Sequence, residues 1–239
     1  KCNLLVITSH HVILCMEKKL LLYTMEGKKE RTWSMDSVIR YIKVNGGPEK
    51  GEGVLVGLKD GMCLKIFINN DFPVELVNHG ASVRCLDMSA FRKKLAVVDE
   101  NSAVVVYDVK TKAVLFEGKG ANSVAFNSVY EDMFCYAGDG ILSIKTADFP
   151  VHTQNLDGFA VGFNASKIYC LHNISMQTVV VPHSWSVKNY IKKGDFDGAY
   201  AVACLGVTNK DFMNLGLTAH WGMNLEVARK CFIRCRDMK

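Results

Sequence analysis

A short turn that recurs about every forty residues constrains the fold of this chain more than any other feature. The turns are Glu17-Lys18, Asp60-Gly61, Glu100-Asn101, Asp139-Gly140 and, more loosely, Asn173-Ile174. Each lies between two apolar runs, which predicts a β-hairpin, and Asp-Gly is a strong two-residue hairpin signal. A period near forty residues is typical of the blades of a β-propeller. The chain is therefore predicted to form consecutive antiparallel blades.

Further strands flank each hairpin and complete a four-stranded repeat. The first run of each unit, predicted as its inner strand, covers residues 4–8, 39–44, 83–88, 123–126 and 160–163. The fourth run, predicted as the outer strand, covers residues 29–35, 72–77, 114–116 and 151–154. In the third unit the hairpin ends in Tyr107-Asp108, where WD40 blades often carry Trp-Asp. This pattern predicts a mainly β fold, a WD40-type propeller with about five blades.

The fifth unit lacks an outer strand, because Pro182 follows the run 178–181 and the pattern then changes. A blade without this strand leaves backbone groups unpaired, and each lost hydrogen bond costs about 1 kcal/mol. Propellers avoid this cost by taking a strand from the other end of the domain. We therefore expect a donor strand and further blades upstream of Lys1, in a longer chain. A closed ring of five blades is the alternative, since four to eight blades are typical.

From Ser184 onward the apolar spacing changes to three and four residues, which predicts short paired helices. The expected boundary residues are Asp195 and either Thr208 or Asn209 at helix starts, and Gly206 and Gly222 at helix ends. The last helix is expected to carry an apolar stripe of Leu225, Ala228, Cys231, Phe232 and Cys235. Such pairs are typical of the start of a TPR-like α-solenoid, which needs further repeats after Lys239. Residues 1–183 are thus predicted as propeller and 184–239 as solenoid.

Composition suits a folded chain that stays out of the bilayer. Apolar residues make up 49% of 239 positions, and the formal net charge is +5. No apolar run approaches the roughly 18 residues that cross a membrane, so no transmembrane segment is predicted. The nine cysteines show no framework spacing, which favours reduced cytosolic thiols over disulfides.

Charge gives the one indication of a binding surface. Residues 184–239 hold nine Lys or Arg against five Asp or Glu, a net of +4. The candidate contact residues on the last helix, predicted to lie opposite its apolar stripe, are Arg229, Lys230, Arg234 and Arg236. A partner with an acidic patch or an anionic membrane would be attracted to this basic face. The structural alternative is a solvated helix face with cations favourably placed near its C-terminus.

The sequence predicts no catalytic, metal or cofactor site. Cys231 and Cys235 lie one helical turn apart with His220 upstream, but a zinc site needs four ligands, so a core-facing pair is favoured. No nucleophile beside an oriented base and no carboxylate pair is specified. Aromatic and basic residues do not alternate along a strand face, which argues against nucleic-acid binding.

Three segments carry a resemblance to a known family. Residues 37–48 (SVIRYIKVNGGP), 83–101 (VRCLDMSAFRKKLAVVDEN) and 203–208 (ACLGVT) closely resemble the WD40-plus-TPR subunits of intraflagellar transport complex A. The resemblance covers nearly the whole chain, including the junction of strands and helices. It implies two successive propellers and a long solenoid, of which this chain is most of the second propeller and the first helices.

The resemblance also implies a function. It implies a non-catalytic scaffold within a hetero-oligomer, with the other complex A subunits as partners and ciliary membrane-protein cargo adaptors as further ones. It implies retrograde transport and cargo entry at the cilium, in the axoneme and basal body, and a cytoplasmic pool. Two other classes remain open: a coatomer-like vesicle-coat subunit, and a propeller enzyme or small-ligand binder whose polar residues would converge on the central channel.

Overall fold

The computed structural model describes residues 2–46 and 52–235, which form five antiparallel sheets followed by four helices. The strands are β1 Leu4–Ile7, β2 His11–Met16, β3 Lys19–Thr24, β4 Lys29–Ser34, β5 Ile39–Val44, β6 Gly53–Leu58, β7 Met62–Phe67, β8 Val74–Asn78, β9 Val83–Met88, β10 Lys94–Asp99, β11 Ala103–Asp108, β12 Val114–Lys119, β13 Ser123–Phe126, β14 Met133–Gly138, β15 Ile141–Thr146, β16 His152–Asn155, β17 Phe159–Asn164, β18 Lys167–His172 and β19 Ser175–Val180. The helices are α1 Ser184–Lys193, α2 Phe196–Gly206, α3 Asn209–Trp221 and α4 Leu225–Cys235.

Each sheet is one propeller blade whose strands pair in chain order. Blades one to four contain β1–β4, β5–β8, β9–β12 and β13–β16, and blade five contains the three strands β17–β19. The inner strands β1, β5, β9, β13 and β17 contact one another in succession, as strands around a common axis do. The predicted inner and outer strands and the three-stranded fifth blade are therefore confirmed. Gly47 and Pro48, the last two residues of the segment 37–48 that carries the family resemblance, lie outside the described part of the chain.

Three of the predicted turns are two-residue hairpins and two are longer. Asp139 and Gly140 have φ of 52° and 76°, the positive values that a type I′ turn requires at both positions. The prediction of two-residue turns is wrong at 59–61 and 100–102, which are three-residue connections. In these the third residue, Gly61 or Ser102, takes positive φ. At the second of them the Ala103 amide donates to the Asp99 carboxylate (2.8 Å), so a side chain stabilises the longer loop.

Apolar side chains fill the spaces between neighbouring blades. Fully burying one such side chain contributes roughly 1.5–3 kcal/mol, so these layers hold the blades together. Representative buried pairs are Ile13 and Val56 between blades one and two, Leu55 and Leu86 between two and three, Val98 and Phe134 between three and four, and Cys135 and Ile168 between four and five.

The five blades form an open arc, so the closed five-blade ring is not what the described residues form. Blade one leaves Ile7 60% exposed on its free face, and blade five leaves Val161 47% and Val180 65% exposed. Strand β19 pairs only with β18 among the described strands. Both ends of the arc therefore present apolar surface, and in blade five the outer edge belongs to the third strand and not to a fourth.

The helix boundaries follow the predicted capping residues. The Asp195 carboxylate accepts from the Gly198 amide at the start of α2. Thr208 and Asp211 form a reciprocal capping box at the start of α3, and Gly222 follows its end. One stripe residue is wrongly predicted, since Leu225 is 56% exposed while Val227 is buried in its place. None of the helices in the described part of the chain combines the length and apolar character needed to span a membrane.

A buried polar chain in blade three includes a histidine that the sequence did not reveal. His79 Nδ1 lies 2.7 Å from the Tyr107 hydroxyl, and His79 Nε2 lies 3.4 Å from the Asp99 carboxylate. Burial raises the pKa of Tyr107, which keeps its hydroxyl protonated. Tyr107 thus lies beside Asp108 at the end of β11, as predicted for the Trp-Asp position, and its partner His79 comes from the connection between β8 and β9.

Candidate interaction surfaces

The basic face of α4 lies partly against the protein itself. Lys230 Nζ pairs with Glu226 one turn earlier (2.6 Å) and stands 5.9 Å from the centre of the Tyr200 ring. Arg234 lies 4.9 Å from the centre of the Phe212 ring and donates to the Cys204 sulfur at 3.3 Å. Two of the four candidate cations therefore cover aromatic surface of α2 and α3.

The remaining two candidate cations, Arg229 and Arg236, differ in whether the structure describes them. Arg229 is exposed on α4 and is the member of the basic face best placed to meet a partner. Arg236 lies outside the described residues. The hydrogen bond from Lys230 lowers the pKa of Glu226 and raises that of Lys230, but such an exposed pair contributes little to stability.

The helices pack directly on blades four and five. The hydroxyls of Tyr130 and Tyr190 lie 3.0 Å apart, and the Tyr190 ring meets Phe149 edge to face at 4.6 Å. Burial, followed by the bond to Tyr130, raises the pKa of Tyr190, so this hydroxyl stays protonated. A second hydroxyl pair joins Thr146 to Ser186 at 3.3 Å. One apolar cluster continues from β14 through blade five into all four helices, so the junction is a packed core and not a flexible linker.

His183 fixes the point at which the chain leaves blade five. It is 1% exposed, its ring stacks on Phe163, and its Nε2 donates to the Ala165 carbonyl at 3.1 Å. Burial lowers the pKa of this imidazole, because the charged form would lose its hydration. The junction therefore holds a neutral histidine.

Acidification is expected to loosen this junction. The unfolded chain binds a proton at His183 near pH 6.5, whereas the folded chain resists it until the lowered folded pKa is reached. The contribution of His183 to stability is therefore fully present above the unfolded pKa, and it decreases as the pH falls from that value towards the lowered folded pKa. Hydrogen–deuterium exchange of α1, corrected for intrinsic rates at pH 7.5 and 5.5, should show this loss. His183→Gln retains an N–H donor and should weaken the pH dependence, while exposed His220→Gln should not. Equal pH dependence of α1 exchange in the wild-type protein and in both variants would contradict the assignment of this effect to His183.

A cleft of about 340 Å³ lies where the inner strands of blades two to four end, beside blade five. We call it the inner-strand cleft, and its polar and aromatic lining includes Lys43, Asn45, Asp87, Arg92, Asn127 and Phe163. Most of its polar groups have structural partners. Asp87 pairs with Lys43 at 2.9 Å and accepts from the Phe126 amide at 2.7 Å, while Asn127 donates to the Ala165 carbonyl at 2.8 Å. These bonds align neighbouring blades.

Most of the cysteines are core residues. Six of the nine are buried, and none of those that the structure describes is joined to another in a disulfide. Burial raises the pKa of Cys63 to about 12 and that of Cys231 to about 11, so neither is a reactive thiolate near neutral pH. Within residues 2–46 and 52–235, no group of three or more His, Cys, Asp or Glu is arranged to hold a metal ion.

Comparison with known proteins gives consistent matches. Residues 1–176 match the family model described as IFT122 second beta-propeller. All 239 residues align with proteins named intraflagellar transport protein 122 homolog, at 54% identity in Xenopus tropicalis and 53% in both Homo sapiens and Mus musculus. The alignments cover 20%, 19% and 20% of those proteins respectively. The chain thus spans about a fifth of the length of the curated relatives it matches.

Proposed function

Because this chain belongs to the IFT122 second beta-propeller family, we propose that it is part of a non-catalytic scaffold subunit of intraflagellar transport complex A. The main evidence for the proposal is the family match over residues 1–176, and relatives that align over all 239 residues support it. We propose the predicted division of the chain for this role, with propeller in 1–183 and the start of a TPR-like solenoid in 184–239.

Rigid presentation of surfaces is the proposed mechanism. A propeller is a stiff disc whose loops and rims can hold partners at fixed angles. The apolar cluster that runs from blade four into the helices supports this role, because it fixes the direction in which the helices leave the disc. Partners on the blades and on the helices would then keep a constant relative orientation.

The proposed partners are the other complex A subunits, in a hetero-oligomer, together with adaptors for ciliary membrane-protein cargo. The proposed location is the cilium, at the axoneme and basal body, with a cytoplasmic pool. Retrograde transport and ciliary entry of membrane proteins are the processes that such a subunit would support. The names of the relatives, which refer to intraflagellar transport, favour this role over a vesicle coat.

Affinity purification of the tagged full-length protein from ciliated cells, followed by mass spectrometry, tests the proposal. We expect the other complex A subunits in stoichiometric amounts. Recovery of vesicle-coat subunits instead, or of no stoichiometric partner, would contradict it.

The basic face of α4 supplies a more local test. Arg229→Glu is expected to reduce recovery of complex A subunits several-fold, because it reverses an exposed charge without removing an aromatic contact. Lys192→Glu, on the exposed side of α1, makes the same charge change and should leave recovery unchanged. If the triple reversal at Arg229, Lys230 and Arg234 also left assembly intact, α4 would not be a partner contact.

A further inference from the structure

Two neighbouring connections at one end of blade three carry only positive charge. Residues 89–93 join β9 to β10 and residues 109–113 join β11 to β12, so both lie at the same end of this sheet. The Val109 amide donates to the Lys93 carbonyl at 2.8 Å, which places the two connections side by side. They contain no Asp or Glu, and their four cations are Arg92, Lys93, Lys110 and Lys112. We call residues 89–93 and 109–113 the basic tip of blade three.

The basic tip also presents an aromatic ring to solvent. Phe91 is 67% exposed, and it lies directly before the two cations of its connection. Lys93, Lys110 and Lys112 are exposed as well. A single exposed aromatic side chain is common on protein surfaces, so Phe91 is informative only because cations surround it.

Both connections are held in fixed conformations. The Glu131 carboxylate, from blade four, accepts from the Ser89 hydroxyl at 2.5 Å and from the Phe91 amide at 2.6 Å. The Asp108 carboxylate accepts from the Thr111 amide at 2.7 Å and from its hydroxyl at 3.0 Å. The backbone therefore holds Phe91 and the lysines outward before any ligand arrives, which reduces the entropic cost of binding.

The carboxylates around the basic tip do not cancel its charge. Asp108 and Glu131 bind the two connections, and Asp132 pairs with Lys94 at the start of β10. Lys94 raises the number of cations to five, against these three carboxylates. The tip and its surroundings thus keep a net charge of about +2, which attracts an anionic surface.

The rest of this rim is less suited to an anionic surface. Connections 25–28 and 165–166 have no net charge, whereas 68–73 and 147–151 each hold one acidic residue and 127–132 holds two, with no cation in any of these three. Connection 45–52 includes residues outside the described part of the chain. A negative surface would therefore attract the rim at blade three and repel it at blade four. The disc would meet such a surface by its edge.

We propose that the basic tip of blade three binds the surface of an anionic membrane, with its lysines beside the lipid headgroups and Phe91 at the boundary of the acyl chains. Lysine and arginine near an anionic leaflet are attracted to it, and aromatic side chains on a basic surface enter this boundary. A partner protein would need a pocket shaped for the protruding ring, whereas a bilayer accepts it without one. This site is separate from the basic face of α4 and does not rest on the proposed function.

Co-sedimentation of the purified full-length protein with vesicles tests the charge contribution. We expect the bound-to-free ratio to be about tenfold higher on vesicles that contain phosphatidylserine than on pure phosphatidylcholine. Lys93→Glu/Lys110→Glu should remove most of this difference. Lys59→Glu/Lys119→Glu makes the same charge change with exposed lysines at the opposite rim, and it should leave the difference intact.

Phe91 is tested with a matched aromatic residue on the same rim. Phe72 is 77% exposed in connection 68–73, where Asp71 is the one charged residue. Phe91→Ser should lower binding to phosphatidylserine vesicles several-fold, and Phe72→Ser should not. Lipids brominated in the acyl chain report insertion, because they quench tryptophan at that depth. Phe91→Trp should add quenched fluorescence to that of the three native tryptophans, and Phe72→Trp should add none.

Four outcomes would overturn the proposal. Equal binding to both kinds of vesicle would exclude an anionic ligand surface, and unchanged binding in Lys93→Glu/Lys110→Glu would place the contact elsewhere. Equal loss of binding in the opposite-rim variant would indicate general charge attraction. Loss of a co-purifying protein from Lys93→Glu/Lys110→Glu in detergent, with vesicle binding unchanged, would make a protein the ligand. None of these outcomes bears on whether the wild-type protein assembles with complex A subunits, so the two proposals fail separately.

Discussion

Gly138→Ala is expected to unfold blade four locally, with a cost of about 3 kcal/mol or more. A Cβ on Gly138 would lie 1.9 Å from the Gly120 carbonyl oxygen and 3.0 Å from the Ala121 Cα. Both are backbone atoms of the connection between blades three and four, so no side-chain rotation can relieve the overlap. The same connection is held in place by the Asn122 amide, which donates to the Ala137 carbonyl at 2.6 Å. Relief therefore requires the two blades to separate.

Hydrogen–deuterium exchange of β13, β14 and β15 in the full-length protein measures this effect. A loss of about 3 kcal/mol corresponds to a roughly hundredfold rise in exchange through local opening. Gly162→Ala is the matched control, since the nearest atom to its added Cβ is Tyr169 Cδ2 at an ordinary 3.7 Å. That variant should differ from wild type by less than about 0.5 kcal/mol. Wild-type exchange in Gly138→Ala would show that the connection is looser than its geometry indicates.

The strands were predictable because their signals are local. Period-two apolar runs placed the inner and outer strands, and Pro182 marked the absence of a fourth strand in blade five. Capping chemistry placed Asp195 and Thr208 for the same reason, since a cap and its amide partner lie within three residues. The connections 59–61 and 100–102 were predicted one residue too short. The extra residue precedes the predicted pair in the first and follows it in the second, and in both the last residue takes positive φ.

The contacts that shape the candidate sites were not predictable, because they join residues distant in sequence. Tyr130 and Tyr190 meet across 60 positions, so the docking of α1 on blade four leaves no periodic signal. Arg234 was placed correctly on α4 but not against Phe212, which belongs to another helix.

Asp87→Asn is expected to weaken the contacts among blades two, three and four by about 1–3 kcal/mol, the usual cost of leaving a largely buried polar group without its partner. Asp87 is 8% exposed, and its carboxylate meets Lys43 of blade two and the Phe126 amide of blade four. Asparagine keeps the size but offers one acceptor in place of two. Either Lys43 or the Phe126 amide would then face an N–H donor, and the Lys43 charge would lose its counterion.

Faster exchange in β5, β9 and β13 of the full-length protein would report this loss. Asp132→Asn is the control, because Asp132 pairs with Lys94 but is 45% exposed, and such pairs contribute less than about 1 kcal/mol. The double variant Lys43→Met/Asp87→Asn separates charge from hydrogen bonding. If the unpaired lysine causes most of the cost, the double variant should recover part of the stability, since it removes the orphaned charge. If it recovers none, the Phe126 amide is the contact that matters, and Asp87 acts mainly as a backbone acceptor that sets the spacing of blades three and four.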